Sequence, residues 1–188
     1  MAKRNLITLP TFAEHPDPTI LNVVVESPRG SRVKLKYNPD LNVFALSYVL
    51  ARGSMFPCEF GFIPSTLGDD GDPLDILIQM DAATCTGCVV SARALGVIEA
   101  EQTQGQETFR NDRIVAVAIA EHERAGLRSL DDISPALLDE IEHFFVSYNQ
   151  MRGREFKPLH RAGPKAVSKL LERGIVRFAN QQSPHQPE

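Results

Sequence analysis

Residues 69 to 75 read Asp-Asp-Gly-Asp-Pro-Leu-Asp and stand between two strand-like runs, which puts four carboxylates (Asp69, Asp70, Asp72 and Asp75) within seven residues. Such a cluster resists burial, because like charges repel more strongly as water is excluded. Asp, Gly and Pro are also ordinary turn residues, and an acidic turn left in solvent needs no partner. This turn, however, runs directly into Leu74, Ile76, Leu77, Ile78 and Met80, which read as a buried strand, so Asp75 falls inside an apolar run. A buried carboxylate needs a counter-charge. Oxygen ligands at this density suit a hard cation, and Mg²⁺ is the natural one. An EF-hand does not fit: its loop needs a Gly after three alternating acidic positions and a closing Glu, whereas Gly71 comes too early and Pro73 stiffens the wrong place.

The rest of the chain narrows the class of protein. With 188 residues, 43% of them hydrophobic, there is enough apolar material for one core and not for two, so a single domain is predicted over 1–180 with a polar tail over 181–188. Lys and Arg number 20 against 24 Asp and Glu, a formal charge of -4, so no basic field is present to hold nucleic acid. No apolar stretch approaches the roughly 20 residues that span a bilayer, and no signal-like apolar segment opens the chain, so a cytoplasmic protein without membrane attachment is expected. Cys58, Cys85 and Cys88 cannot make a disulfide framework and fit a reducing compartment. The Cys-Thr-Gly-Cys run at 85–88 is followed by a strand-like segment and has no second Cys pair, which argues for turn and strand residues over zinc or redox chemistry.

Residues 20–26, 32–37 and 42–50 read as strands separated by Pro, Gly, Asn and Asp, and an antiparallel meander is the economical way to join them. Further strands are predicted at about 75–80, 88–99 and 113–120, so six short strands suggest a small barrel. Helical spacing then takes over. Ser134 suits a cap, Pro135 the first turn, and Leu137, Ile141, Phe144, Phe145 and Tyr148 form a stripe; a second helix begins near Pro164 with Val167, Leu170, Leu171 and Ile175 on one face. His143 has no second ligand at helical spacing and reads as a surface or packing residue. Tyr148 closes the stripe, so its ring can be core while its hydroxyl reaches a pocket.

With Asp-Gly-Asp-Pro-Leu-Asp-Ile-Leu-Ile placed after Pro-Cys-Glu-Phe-Gly-Phe-Ile-Pro, the chain resembles the soluble family I inorganic pyrophosphatases. The resemblance runs from about Val23 to Val176 through Val-Val-Val-Glu-Ser-Pro, Val-Lys-Leu-Lys-Tyr, the acidic signature, Ala-Leu-Gly-Val, Ile-Val-Ala-Val and His-Phe-Phe-Val-Ser-Tyr, in that order. It implies an α+β, mainly β fold, a small OB-like closed β-barrel flanked by two C-terminal helices. It also implies hydrolysis of pyrophosphate to two phosphates by a metal-activated water, with Mg²⁺ or Mn²⁺ as the cation. Two or more metal ions acidify the water and neutralise the leaving group, while basic side chains hold the electrophilic end. By position, Asp70 and Asp75 are the implied metal ligands with Glu26, Asp72 orients or deprotonates the water, and Lys34 and Tyr148 hold phosphate oxygens. A homo-oligomer, commonly a hexamer, goes with the resemblance.

Several positions depart from the family pattern. Lys36 stands where Glu is usual, Tyr48 where a phosphate-binding Arg is expected, Phe60 where a Tyr is, and Asn149 where a Lys is. Arg52 lies about 13 Å beyond Tyr48 along an extended strand and substitutes only if the chain bends. In the next loop the family's Asp-x-Lys becomes Asn111, Asp112, Arg113, and the preceding acidic ligand falls near Glu101 or Gln102. Asn111 can ligate through its carbonyl without adding charge, and Asp112 can replace it only through a bulge, since a one-residue slip turns a strand side chain to the opposite face. Three functions therefore compete: a divergent pyrophosphatase, acting on pyrophosphate or a related phosphoanhydride; an impaired paralogue that binds metal and phosphate or serves as an interaction subunit; and, against the acidity, an OB module for nucleic acid.

Overall fold

The computed structural model describes residues 5–124 and 126–182, and within them the elements follow as β1 (Leu21–Ser27), β2 (Val33–Asn38), β3 (Val43–Val49), β4 (Glu59–Phe62), β5 (Asp75–Gln79), β6 (Val89–Gln104), β7 (Glu107–Arg110), β8 (Arg113–Ala118), α1 (Pro135–Gln150), β9 (Glu155–Ala162) and α2 (Pro164–Gln182). Strands β1, β4, β5 and β8 are buried along almost their whole length on both faces, so each has to be flanked by neighbours and covered above and below. The sheet satisfies this by closing. Its order β1-β4-β5-β8-β6 returns to β1 through a β1–β6 pairing, giving the small barrel the sequence predicts. All of these pairings are antiparallel except β5–β8, which is parallel with Ile76 opposite Ile114.

The meander expected for the first three strands does not form. β2 and β3 make a separate two-stranded sheet, while β1 pairs with β4 and β6. The cause is burial: Val23 to Ser27 are all buried, whereas β3 is mostly exposed, so β1 belongs inside the barrel wall and the hairpin does not. Two bonds from the hairpin backbone nevertheless tie it to the end of β1, Leu35 N to Ser27 Oγ at 3.1 Å and Tyr37 N to Glu26 Oε1 at 2.8 Å. Strand β6 serves two neighbourhoods. Its first part pairs with β1 and β8 and its second with β7 and β9, and register shifts at Ala94/Gly96 and Glu99/Ala100 let it bend between them. Strands β4, β7 and β9 escape a periodicity reading because two are only four residues long and β9 carries Pro158, which sits beside the second register shift.

Alternation along the strands sorts the core into two clusters. Leu77, Val115 and Val117 pack with Leu138, Ile141, Phe145 and Tyr148 of α1, while Ile76, Ile78, Ile114 and Ala116 pack with Val167 and Leu171 of α2. In α1, Pro135 occupies the first turn as predicted, but Ser134 makes no side-chain cap bond, and Leu138 takes the buried place expected for Leu137, which lies at the cluster's edge with Phe144. His143 is exposed. Gln181 and Gln182, assigned to the polar tail, continue α2, and 183–188 lie outside the described residues.

Gly61 in β4 shows how tightly the barrel wall is built. A Cβ there would stand 2.1 Å from the Val24 carbonyl oxygen, a backbone atom that cannot step aside without parting β1 from β4. Gly61→Ala is expected to destabilise the chain by about 3 kcal/mol or more. Urea unfolding measures it, and a loss below about 1 kcal/mol, close to the size of an ordinary surface change, would show that the wall can relax.

Candidate active site

The acidic turn is held by its own backbone and by α2. Ile63 N donates to Leu74 O at 3.0 Å and Leu74 N to Thr66 Oγ1 at 3.0 Å, pinching the loop shut at its base. Gly68 N donates to Asp72 O at 2.7 Å, and Gly71 takes the positive φ of 81° that the tight reversal requires. From the helix, the Gly174 carbonyl accepts Leu67 N at 3.0 Å; a Cβ at Gly174 would lie 2.8 Å from Leu74 Cδ1, so the missing side chain is what lets the helix approach. Asp70 Oδ1 accepts Asp72 N at 3.1 Å and so braces the turn from within.

A cleft of about 730 Å³ opens between this loop, the β2–β3 hairpin and the C-terminal end of α1. It brings together seven of the eight predicted site residues: Glu26, Lys34, Asp70, Asp72, Asp75, Asn111 and Tyr148. Lys34 Nζ is 2.7 Å from Glu26 Oε2 and lies 3.7 Å from the centre of the Phe60 ring, so the Phe that stands in the Tyr position offers a π-face in place of a hydroxyl. Lys36 Nζ donates to both Asp72 oxygens at 2.7 Å. Desolvation pulls the Lys36 ammonium down, but the Asp72 hydrogen bond and charge, with Glu26 and Asp70 beyond, outweigh it and hold it above its usual value. Asp75 Oδ2 is 2.7 Å from Arg113 Nη1. Asp70 retains solvent access, yet the cleft walls remove enough water that partial burial, followed by the nearby Asp75 carboxylate, pushes its carboxyl up to about 6. Burial likewise raises the Tyr148 hydroxyl.

Asp112 does not join them. Its Oδ1 accepts Ala100 N at 2.9 Å and Arg110 Nη2 at 2.8 Å, and its side chain is nearly buried on the other side of the acidic loop. The ladder begins at Arg113 without the bulge that would swing Asp112 round, so Asn111 faces the cleft and its neighbour faces away. Asp69 also points outward, to Arg177 on α2. These residues line a second cavity of about 230 Å³ that shares Asp70, Pro73, Asp75 and Asn111 with the cleft as a common wall.

Three cleft residues stand outside the predicted site set, two of them, Gln102 and Arg113, noticed in the sequence only as positions of the family frame. Gln102 is buried, lines the cleft and accepts Asn111 Nδ2 at 3.0 Å, which places Gln102 rather than Glu101 beside Asn111. Arg113, in the Lys position of the Asp-x-Lys frame, is 4% exposed and grips Asp75; its signal was a lone cation opening an apolar strand. Arg152 follows α1. Its guanidinium lies 5.2 Å from the Tyr48 ring and 5.1 Å from the Tyr148 ring and donates to the Tyr148 hydroxyl. Arg52 stays exposed outside the cleft, and the guanidinium found beside the Tyr48 ring is that of Arg152, from another element. Asn149 is buried and bonds Phe145 O at 2.9 Å. Cys85 and Cys88 form the turn into β6 that the sequence suggests, and burial pushes the Cys58 thiol up to about 12, where it is inert.

A family model described as inorganic pyrophosphatase matches residues 23–179. The inorganic pyrophosphatase of Nostoc sp. is 36% identical over 163 residues, 87% of this chain and 94% of that protein. The chain belongs to the family I inorganic pyrophosphatases. The solved inorganic pyrophosphatase from Thermus thermophilus superposes with a TM-score of 0.85 at 31% identity, covering 94% of this chain and 99% of that one. That from Coxiella burnetii gives 0.81 at 32% identity over 90% and 99%. The OB-like barrel implied by the resemblance is thus the architecture of this pyrophosphatase-family chain.

Asp70 gives this family member a measurable pH signature. Its folded pKa, pushed up to about 6, lies above the 3.8 of an ordinary aspartate, so between these values the folded chain holds the proton that the unfolded chain releases. Asp70 therefore favours the fold at low pH and loses that contribution as pH rises from about 4 to about 6. In chelator-treated protein, the melting-temperature advantage of Asp70→Asn over wild type is expected to grow across this window and then level off. A difference independent of pH would mean that Asp70 titrates normally.

Proposed function

We propose that this chain hydrolyses inorganic pyrophosphate to two phosphates in the cleft, using a divalent cation, Mg²⁺ with Mn²⁺ as the alternative. The observation that carries the reading is the charge layout: Asp70, Asp72 and Asp75 on the acidic loop face Lys34, Arg152, Arg154 and Tyr148 across one open space. Hard carboxylate oxygens fit such an ion, and a cation would offset both the partial burial and the neighbouring Asp75 charge that push the Asp70 carboxyl up. Asp70 and Asp75 would hold it, with Asn111, whose Oδ1 accepts from Arg113 Nη1, contributing a neutral carbonyl; Glu26 already accepts Lys34 Nζ and Tyr37 N, so it would chiefly hold Lys34 and reach the ion only through water. When bound, the ion neutralises phosphate oxygens and acidifies water. Lys34, Arg152 and the Tyr148 hydroxyl orient the phosphate that is attacked. Asp72 takes the proton from the water as its oxygen bonds to phosphorus, the bridging P–O bond breaks, and the second phosphate leaves with the electron pair.

One observation favours a second reading, a paralogue that binds metal and phosphate without turnover or serves as an interaction subunit: Lys36 lies on both oxygens of Asp72, the residue assigned as base. A related phosphoanhydride such as a nucleotide is a further substrate class, for which Lys36 offers an extra cation. Among the described residues no helix is long and apolar enough to cross a membrane. The three free cysteines support a cytoplasmic location. Exposed Leu41, Val43, Leu46 and Val49 on the hairpin support a homo-oligomer, the hexamer of the family resemblance. Light scattering that gives the mass of a single chain would overturn the oligomer.

Phosphate release from pyrophosphate with Mg²⁺ or Mn²⁺ tests the function. Turnover that disappears with chelator is expected, and binding of pyrophosphate without release would select the second reading. Asp72→Asn should lower kcat by about 10²- to 10⁴-fold while changing metal affinity less than about tenfold. Arg152→Ala should lower kcat/KM by about 10- to 100-fold, the worth of a hydrogen bond to a charged group. Equal losses in turnover and metal binding for Asp72→Asn would remove its assignment as base.

A further inference from the structure

The hydrolytic reading needs a divalent ion, and the charges of the cleft itself bear on how many it takes. Glu26, Asp70, Asp72 and Asp75 surround its floor. Three of the four are already matched one for one by a cation of the chain: Lys34 on Glu26, Lys36 on Asp72 and Arg113 on Asp75, each at 2.7 Å. Among the described residues Asp70 is the one of these four with no such partner, its Oδ1 being engaged only by Asp72 N at 3.1 Å. The facing wall adds no negative charge, because Gln102 and Asn111 are amides bonded to each other at 3.0 Å. With Asp40 on the exposed hairpin turn, the lining holds five carboxylates (Glu26, Asp40, Asp70, Asp72, Asp75) against five cations (Lys34, Lys36, Arg113, Arg152, Arg154), a formal balance of zero. Nor do three His, Cys, Asp or Glu side chains converge as a ready-made metal group among the described residues.

A neutral cleft of this kind accepts one dication readily and a second only against the first and against the lysine and arginine already seated. We propose that Lys36 and Arg113 are built-in counter-ions, Lys36 on both oxygens of Asp72 and Arg113 on Oδ2 of Asp75, so that the cleft binds one divalent ion per chain, between Asp70 and the remaining oxygen of Asp75, before any phosphate arrives. The inference rests on the hydrolytic reading for the cleft's identity as a metal site and goes beyond it in fixing the count. Lys36 is the adjustable member. It is half exposed and reaches Asp72 from the hairpin, whereas Arg113 is buried and structural. Replacing Lys36 by Glu removes one cation and adds one carboxylate at the same point without disturbing the core.

The test is a Mn²⁺ titration of the folded full-length protein without phosphate, with free Mn²⁺ read by electron paramagnetic resonance and the fold checked by circular dichroism. Wild type is expected to bind one Mn²⁺ per chain. Lys36→Glu should bind a second and raise the overall affinity by about tenfold or more, and Asn111→Asp, on the opposite wall, should strengthen binding independently. Two or more Mn²⁺ on the wild type, none at all, or a Lys36→Glu titration identical to wild type would each overturn the inference. One bound Mn²⁺ with no pyrophosphate turnover would overturn the hydrolytic reading while the count, and the role given to Lys36 and Arg113, stand.

Discussion

The pair between Asp75 and Arg113 ties the catalytic side of the molecule to its frame. Both residues open their strands, one step before Ile76 and Ile114 face each other in the parallel β5–β8 pairing. Parallel neighbours lack the short hairpin that sets an antiparallel register, so an ion pair at the shared start of the two strands marks where each must begin. The guanidinium also lies 5.1 Å from the Phe145 ring and 5.4 Å from Phe156, which brings α1 and β9 into the same contact. A buried ion pair contributes little net stability, because desolvation offsets its attraction, yet losing one partner leaves a charge stranded at a cost of about 3–5 kcal/mol. The pair therefore acts through specificity. It fixes where the acidic turn ends, and with it the position of Asp70 and Asp72.

Beneath the charged groups lies an aromatic floor. Phe56, Phe60, Phe144, Phe145 and Tyr148 meet edge to face or tilted, apart from Phe144 and Tyr148, which stack, with ring centres 5.1 to 6.3 Å apart, and Tyr48 joins through Tyr148 at 5.9 Å. A polarisable, water-poor base strengthens the electrostatics above it and offers faces to cations. Lys34 sits over Phe60 and Arg152 over Tyr48 and Tyr148. The substitutions at Tyr48 and Phe60 thus remove polar groups while keeping the floor intact. Arg152 brings a guanidinium to Tyr48 and Tyr148 from a loop that no local pattern linked to the cleft.

Legibility followed the range of the interactions. The acidic turn, the buried run after it and the stripe of α1 are local patterns, and each was readable from spacing. What closes the barrel was not. The pairing of β1 with β6 joins residues about 70 positions apart, and β1's departure from the hairpin follows from burial on both faces, which only the assembled sheet reveals. Likewise the sequence left open whether Asn111 or Asp112 faces the cleft, because that depends on whether β8 starts with a bulge. Arg113 was visible as a residue but not as a partner of Asp75, since 38 residues separate them and only the parallel register unites them.

The same distinction explains why exchanging carboxylates for cations in this cleft is not a simple loss. A divalent ion and an ammonium both neutralise a carboxylate, but only the former acidifies water, and only the latter moves with a flexible stem that the fold supplies. Lys36 Nζ bonds both oxygens of Asp72, so neither is free to face a water while that contact holds. Pyrophosphate carries several negative charges and competes with Asp72 for the same ammonium, whose exposed position leaves it free to turn. On the hydrolytic reading, substrate binding therefore does two things at once: it gains Lys36 as a phosphate contact and releases Asp72 to accept the proton. Arg113, buried and held by Asp75 and the backbone carbonyls of Asn111 and Asp112, has no such freedom. The two cations look alike in a charge count, but burial divides their roles, one answering to the substrate and the other to the fold.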